Sequence, residues 1–200
     1  MRVEIAGALS CGKSTLAKRL ASLGHTIVFE DLSTNPYLDL RVQDPEKYDF
    51  LCQRQFVLDK IASLRAAEAT GKPYFADFSI AAERAYVSHY VSHRPDWISE
   101  LELLMDQSEL EQGLPDLIIH LQCAPEAQLE RIRIRGREFE QGHDIPFIRD
   151  INDRVHHQVE RMIDKGVRVA AFRTDLIGWD EVINSLFLNH LAATPFVSAD

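Results

Sequence analysis

Residues Gly7 to Ser14 read Gly-Ala-Leu-Ser-Cys-Gly-Lys-Ser, a complete GxxxxGK[ST] phosphate-binding loop reached after only six residues. It follows an apolar run, Val3-Glu4-Ile5-Ala6, and precedes a helical pattern, Leu16-Ala17-Lys18-Arg19-Leu20. Strand, loop and helix in that order separate a working loop from a glycine turn that happens to precede an exposed lysine. The glycines let successive backbone N–H groups turn inward on phosphates, and the helix N-terminus adds its dipole. Lys13 is placed to reach the outer phosphates, and Ser14 supplies the hydroxyl that such loops give to Mg²⁺. The loop also constrains the fold, because it requires a strand whose C-terminal end opens onto a ligand crevice.

The rest of the composition narrows the class. Two hundred residues, 46% hydrophobic, suffice for one domain with a sizeable core, spanning residues 1–200. A formal charge of −9 argues against nucleic acid as the main partner, because a phosphate backbone demands a net basic face. Cys11, Cys52 and Cys123 are odd in number and widely spaced, with no CxxC, which fits reduced thiols in the cytoplasm. The apolar start is too short for a secretory signal, and no run reaches the roughly 20 residues of a membrane span. The eight histidines show no HExxH or comparable ligand spacing.

Five β-like runs alternate with helical patterns: Val3–Ala6, Thr26–Phe29, Pro73–Asp77, Leu117–Gln122 and Val167–Phe172. Long, helix-rich connections predict parallel pairing. Helices are expected over Tyr48–Ala69, Ile80–His93, Trp97–Gln112, Pro125–Arg135, Asp144–Lys165 and Asp180–His190, with Gly166 as a C-cap. The tail from Ala192 to Asp200 carries little pattern and is expected to be loose. The fold class is α/β, a five-stranded parallel sheet flanked by helices.

Further residues fall in a distinctive order. Glu30 ends the second strand, followed by Asn35-Pro36-Tyr37-Leu38, then Phe50-x-x-Gln53-x-x-Phe56 and Asp77-Phe78-Ser79. Last comes Arg131-Ile132-x-x-Arg135-Gly136-Arg137-x-x-Glu140. With the loop first, this succession resembles the deoxynucleoside kinases, most of all the bacterial deoxyadenosine and deoxyguanosine type, over residues 1 to about 175. The resemblance implies a P-loop kinase fold and ATP-dependent phosphorylation of a deoxynucleoside 5′-hydroxyl, with a purine expected as the base. It places the ATP phosphates on Gly7, Ala8, Leu9, Ser10, Cys11, Gly12, Lys13, Ser14 and Thr15, and the adenine near Arg173 and Asp175, there mostly through backbone. It implies Glu30 as the proton acceptor, Asp77 beside Ser14 for Mg²⁺, and Gln53, Phe50, Phe56, Phe78, Glu83 and Glu140 around the nucleoside.

The residues support parts of this independently. Glu30 and Asp77 close strands at the crevice edge, where phosphoryl transfer needs a base and a carboxylate near the metal. The other reading makes Asp31 and Asp77 helix caps and Glu30 a solvated strand end. Arg131 and Arg135, at i and i+4, share a helix face, and Gly136 frees Arg137 to turn back. Such an arginine-rich lid, about residues 131–143, would clamp the phosphates; the alternative is a charged surface paired with Glu130 and Glu138. Gln53 can donate to and accept from a base edge, with aromatic neighbours to sandwich it. Glu83 is read either as a tuner of base choice or as a surface carboxylate.

Two departures stand out. The family has an arginine where this chain has Phe78, and its sugar-binding tyrosine is replaced by Val42, leaving Glu140 without that partner. The competing functions are a nucleoside monophosphate kinase or other small-molecule P-loop kinase, and a nucleotide-binding subunit that has lost turnover. No [NT]KxD motif marks a GTPase. The expected partners are a nucleoside and a nucleotide. The family also implies a homodimer, for which apolar Trp97–Met105 offers either a surface or a core helix.

Overall fold

The computed structural model describes residues 1–140, 142–192, 194 and 196. Strand β1 (Arg2–Ala6) is buried along its whole length and lies at the centre of a parallel sheet. Beside it run β3 (Tyr74–Ala76) and β4 (Leu117–Gln122), with β2 (Ile27–Val28) and β5 (Arg168–Arg173) at the edges, in the order β2-β3-β1-β4-β5. Parallel neighbours need crossovers, and helices supply them on both faces. The connection leaving β1 runs past β3 to β2, and that leaving β3 runs the other way past β1 to β4, a reversal that opens a crevice at the C-terminal end of β1. The loop sits there, followed by α1 (Lys13–Ser22).

Two apolar clusters fill the layers. One joins Val3, Ile5, Ile119 and Leu16 to helix α7 (Ile145–Asp164) and α8 (Trp179–Leu186). The other packs α3 (Pro45–Glu68), α4 (Ile80–Tyr90) and α5 (Pro95–Gln112) on Tyr74 and Ala76. Leu101 and Met105 of α5 are fully buried and Trp97 packs on Phe50, so one face of Trp97–Met105 belongs to the core, while Leu103 on the other is 58% exposed. Helix α7 stops at Gly166, at φ 88°, with Val167 N–H on Met162 O (3.0 Å) and Gly166 N–H on Ile163 O (2.8 Å). That is the left-handed glycine stop expected of the sequence.

Some boundaries differ from the expected ones. The long helix begins at Pro45, where the Asp44 carboxylate accepts from Lys47 N–H and proline occupies the first turn. Ahead of it a six-residue helix, α2 (Leu38–Gln43), is too short to announce itself by periodicity. Helix α6 (Pro125–Arg135) matches its expected span. Of the tail, residues 193, 195 and 197–200 lie outside the described residues. Phe196 is buried against Phe75, ring centroids 4.3 Å apart. No helix among the described residues is long and apolar enough to cross a membrane.

Candidate active site

The loop is built by assigning its carbonyls. Lys13 Nζ donates to Gly7 O (2.8 Å) and Ala8 O (3.0 Å), and Gln128 Nε2 to Leu9 O (2.7 Å). Arg131 donates to Ser10 O (3.2 Å) and Thr174 Oγ1 to Cys11 O (2.8 Å). Five successive carbonyls are thus tied down, and what the loop presents to an anion is its amides and the start of α1, whose first turn carries no acidic residue. Ser10 holds φ 57°, a left-handed conformation that a non-glycine residue adopts at a cost and that collects at ligand sites. At Gly12, φ 99°, a Cβ would lie 2.5 Å from the Trp179 ring, so glycine is required twice over. Ala8 and Cys11 face the core rather than the cleft; burial pushes the Cys11 thiol up to about 12, so it stays protonated.

A cavity of about 490 Å³ opens beside the loop, and Gly7, Leu9, Ser10, Gly12, Lys13, Ser14 and Thr15 form one wall. Glu30, Gln53, Phe56, Phe78 and Glu83 also line it. Residues separated widely in the chain converge here because the ends of β2 and β3 and the inner faces of α3 and α4 meet over β1. Asp31, not Glu30, serves as a cap: its Oδ1 accepts from Ser33 N–H at 2.9 Å. Likewise Ser79 caps α4, accepting from Ala81 N–H at 3.1 Å, which leaves the Asp77 carboxylate unspent. Buried Glu4, paired with Arg2 at 3.1 Å, accepts from Ile80 N–H and fixes α4 to the central strand.

Charge in the cavity is tightly coupled. Burial drives the Glu30 carboxyl upward, but Lys60, Lys13 and Arg137 outweigh it, leaving Glu30 below its ordinary range. Burial raises Asp77 to about 6 against the pull of Lys13 and a hydrogen bond from Ser14. Burial also raises Glu83, opposed by Lys60. Asp77 Oδ1, Gln53 Oε1 and Glu83 Oε1 are buried without a hydrogen-bond partner among the described residues, as acceptors awaiting a ligand would be. No cluster of three or more His, Cys, Asp or Glu among the described residues could hold a metal.

The arginines of α6 and the segment after it reach the same cavity. Arg131 turns to Thr174 O (2.8 Å), and Arg135 grips Glu140 through Nε (2.9 Å) and a second nitrogen (2.5 Å). Arg137 approaches Glu140 at 3.5 Å, and Arg133 is exposed on the other side of the helix.

Four placements bear on the sequence reading. Phe50 does not line the cavity; its ring packs 5.0 Å from Trp97 because it lies about 120° around the helix from Phe56. Arg173 and Asp175 pair with each other at 2.7 Å, and neither side chain lines the cavity. Val42 is 57% exposed and outside it, so residue 42 is not where a sugar would sit. Glu83 is a buried ion-pair partner, 4% exposed, and not a surface carboxylate.

Lys60, Arg41, Tyr86, Tyr90, His143 and Trp179 line the cavity and were not singled out from sequence. A signal existed: Gln53, Phe56 and Lys60 stand at i, i+3 and i+7, as do Glu83, Tyr86 and Tyr90, each set one helix face. Gln128 and Asn152, which bonds Gln128 Oε1 at 2.7 Å, brace the loop without any local signature.

Comparison with known proteins agrees with this geometry. Residues 3–187 match the family model described as deoxynucleoside kinase. A deoxyguanosine kinase of Lactobacillus johnsonii is 26% identical over 161 residues, 76% of this chain and 72% of the relative. A deoxyadenosine kinase of Dictyostelium discoideum is 28% identical over 188 residues, 91% of this chain and 74% of the relative. Among solved structures, M. mycoides deoxyadenosine kinase with bound dCTP superposes with a TM-score of 0.77 at 18% identity, covering 93% of this chain and 98% of the other. With a braced phosphate loop and carboxylates lining one cavity, and a family match over nearly its whole length, this chain belongs to the deoxynucleoside kinase family.

Proposed function

We propose that this enzyme transfers the γ-phosphoryl group of ATP to the 5′-hydroxyl of a purine deoxynucleoside, in the cytoplasm. One observation carries the reading: Glu30, held below its ordinary range by Lys60 and Lys13, lines with Lys13 of the phosphate loop one cavity large enough for a nucleoside. Phosphoryl transfer asks for this opposition, a hydroxyl-orienting acceptor on one side and cationic support for the phosphates on the other. Gln53 offers its unpartnered carbonyl and its amide N–H₂ to the base edge, with Phe56 beside it. Arg131, Arg135 and Arg137 act as a lid whose guanidinium forks close on the phosphates, with Glu140 holding two of them until the substrate arrives. Deoxyguanosine and deoxyadenosine kinases among the relatives support the purine, and three free, buried cysteines suit a reducing compartment.

The oxygen donors fit magnesium. Buried Asp77 Oδ1 lacks a partner among the described residues and the Ser14 hydroxyl is beside the same carboxylate, a hard pair that leaves room for phosphate oxygens and water. Ser14 and Asp77 would hold the ion, which when bound neutralises charge on the nucleotide phosphates.

The test is a panel of nucleosides with ADP release as the readout. Turnover is expected with deoxyadenosine or deoxyguanosine above the pyrimidine deoxynucleosides. No ADP release with any nucleoside would reject the assignment.

Asp77 gives a second prediction. Its folded carboxyl titrates near 6, above the ordinary 3.8, so its burial is tolerated while protonated and becomes destabilising as pH rises through about 4 to 6. In metal-free buffer, Asp77→Asn is therefore expected to stabilise the fold by on the order of 2–3 kcal/mol at pH 7.5, several degrees in Tm, and by almost nothing at pH 4. Thermal melts at both values check this, and the variant should lose turnover. Equal Tm differences at the two pH values would count against the burial account.

A further inference from the structure

Phe78 leaves the acceptor end of the cavity without the cation expected at that position, yet a buried cation is present there. Lys60, 7% exposed, places one ammonium 2.6 Å from Glu30 Oε1 and 2.6 Å from Glu83 Oε2. Its Nζ lies 5.9 Å from the Phe78 ring centre and 5.1 Å from that of Phe56, so apolar walls flank the charge. A buried ammonium is retained only when paired, and two carboxylates this close would repel each other without it. Glu30 stands on the loop after a two-residue strand, with no regular element of its own to fix its rotamer. Lys60 stands on α3, a helix of 24 residues locked by Val57, Ile61 and Leu64.

We infer that Lys60 is the positioning residue for Glu30, supplying from α3 the positive charge that Phe78 cannot, with Glu83 as the strut that aims it. This rests on Glu30 as the proton acceptor. A lysine has three donors, and the two carboxylates take two of them. One hand on each carboxylate fixes both the distance and the direction in which Glu30 meets a hydroxyl. Displacement of about 1 Å at a reacting group can cost on the order of 10²-fold.

The test is a kinetic comparison of Lys60→Met, Lys60→Arg and Lys60→Met/Phe78→Arg with the parent enzyme. Lys60→Met should lower kcat by about 10–100-fold while nucleoside KM changes severalfold at most. Lys60→Arg should recover most of that kcat, and Phe78→Arg should restore about tenfold or more to Lys60→Met. Because Lys60→Met leaves Glu83 buried and unpaired, Lys60→Met/Glu83→Gln keeps the comparison alive if the single variant does not fold. A raised nucleoside KM with unchanged kcat would make Lys60 a base-reading residue and overturn the inference. Failure of Lys60→Arg to rescue would overturn it too. Glu30→Gln, measured alone, separates the two levels: near-parent turnover there removes the proton-acceptor reading itself. With that reading intact, Lys60→Met added to Glu30→Gln should cost less than about threefold, since the lysine acts through the carboxylate.

Discussion

Lys13→Ala is expected to reduce phosphoryl transfer by about 10³-fold or more and to leave the protein folded. Lys13 is the loop's own cation, and a charge aimed at a transferring phosphoryl group is worth that much in related systems. Its structural role is smaller. The ammonium bonds Gly7 O and Ala8 O, and two such bonds contribute about 1 kcal/mol each, well within what a domain of this size can lose. It also draws down the carboxyls of Asp77 and Glu30, so its loss should let both rise without collapsing the cavity. Turnover with saturating ATP, alongside circular dichroism and a thermal melt, checks both halves. Near-parent turnover would detach the loop from catalysis.

Glu30→Gln is the second large effect. The amide still accepts a hydrogen bond from Lys60 and keeps the shape of the wall, but it cannot take up the hydroxyl proton. A loss of roughly 10²–10⁴-fold in kcat is expected, with nucleoside KM within severalfold of the parent. A kcat loss of less than severalfold would mean that Glu30 only positions the substrate and that another group accepts the proton.

How far the sequence reveals this enzyme depends on whether a feature is local. The phosphate loop, the stop at Gly166 and the proline start of α6 each depend on neighbouring residues, and they are legible. The parallel sheet follows from strand runs separated by helical ones. The back wall of the cavity is different. On α3 one face packs on the core and another faces the cavity, so buried Asp49, Gln53 and Lys60 interrupt the apolar rhythm that marks an inner face. Closeness in the chain groups Phe50 with Phe56, whereas angle around the helix sends the two rings to different surroundings. The bridge from Lys60 to Glu83 spans 23 positions, and the brace from Gln128 to Leu9 spans 119. Contacts that the fold alone brings together leave no spacing to read. The unpaired buried oxygens of Asp77 and Gln53 belong to this class as well, since an unsatisfied acceptor is recognisable only once its surroundings are fixed.

The contact between Trp179 and Gly12 gives the enzyme a built-in optical reporter. The chain has two tryptophans. Trp97 sits between Phe50 and the Arg94 guanidinium, away from the cavity, and contributes a steady background. Trp179 lies at van der Waals range over the glycine that bends the phosphate loop, and it lines the cavity. Any nucleotide settling on the loop must change the polarity around that indole, so emission intensity and wavelength should follow occupancy directly, without label or coupling enzyme. Titrating ATP into the parent protein and into Trp179→Phe would separate the two emitters, with the nucleotide-dependent change confined to the parent. Donor binding could then be timed by stopped flow, independently of turnover.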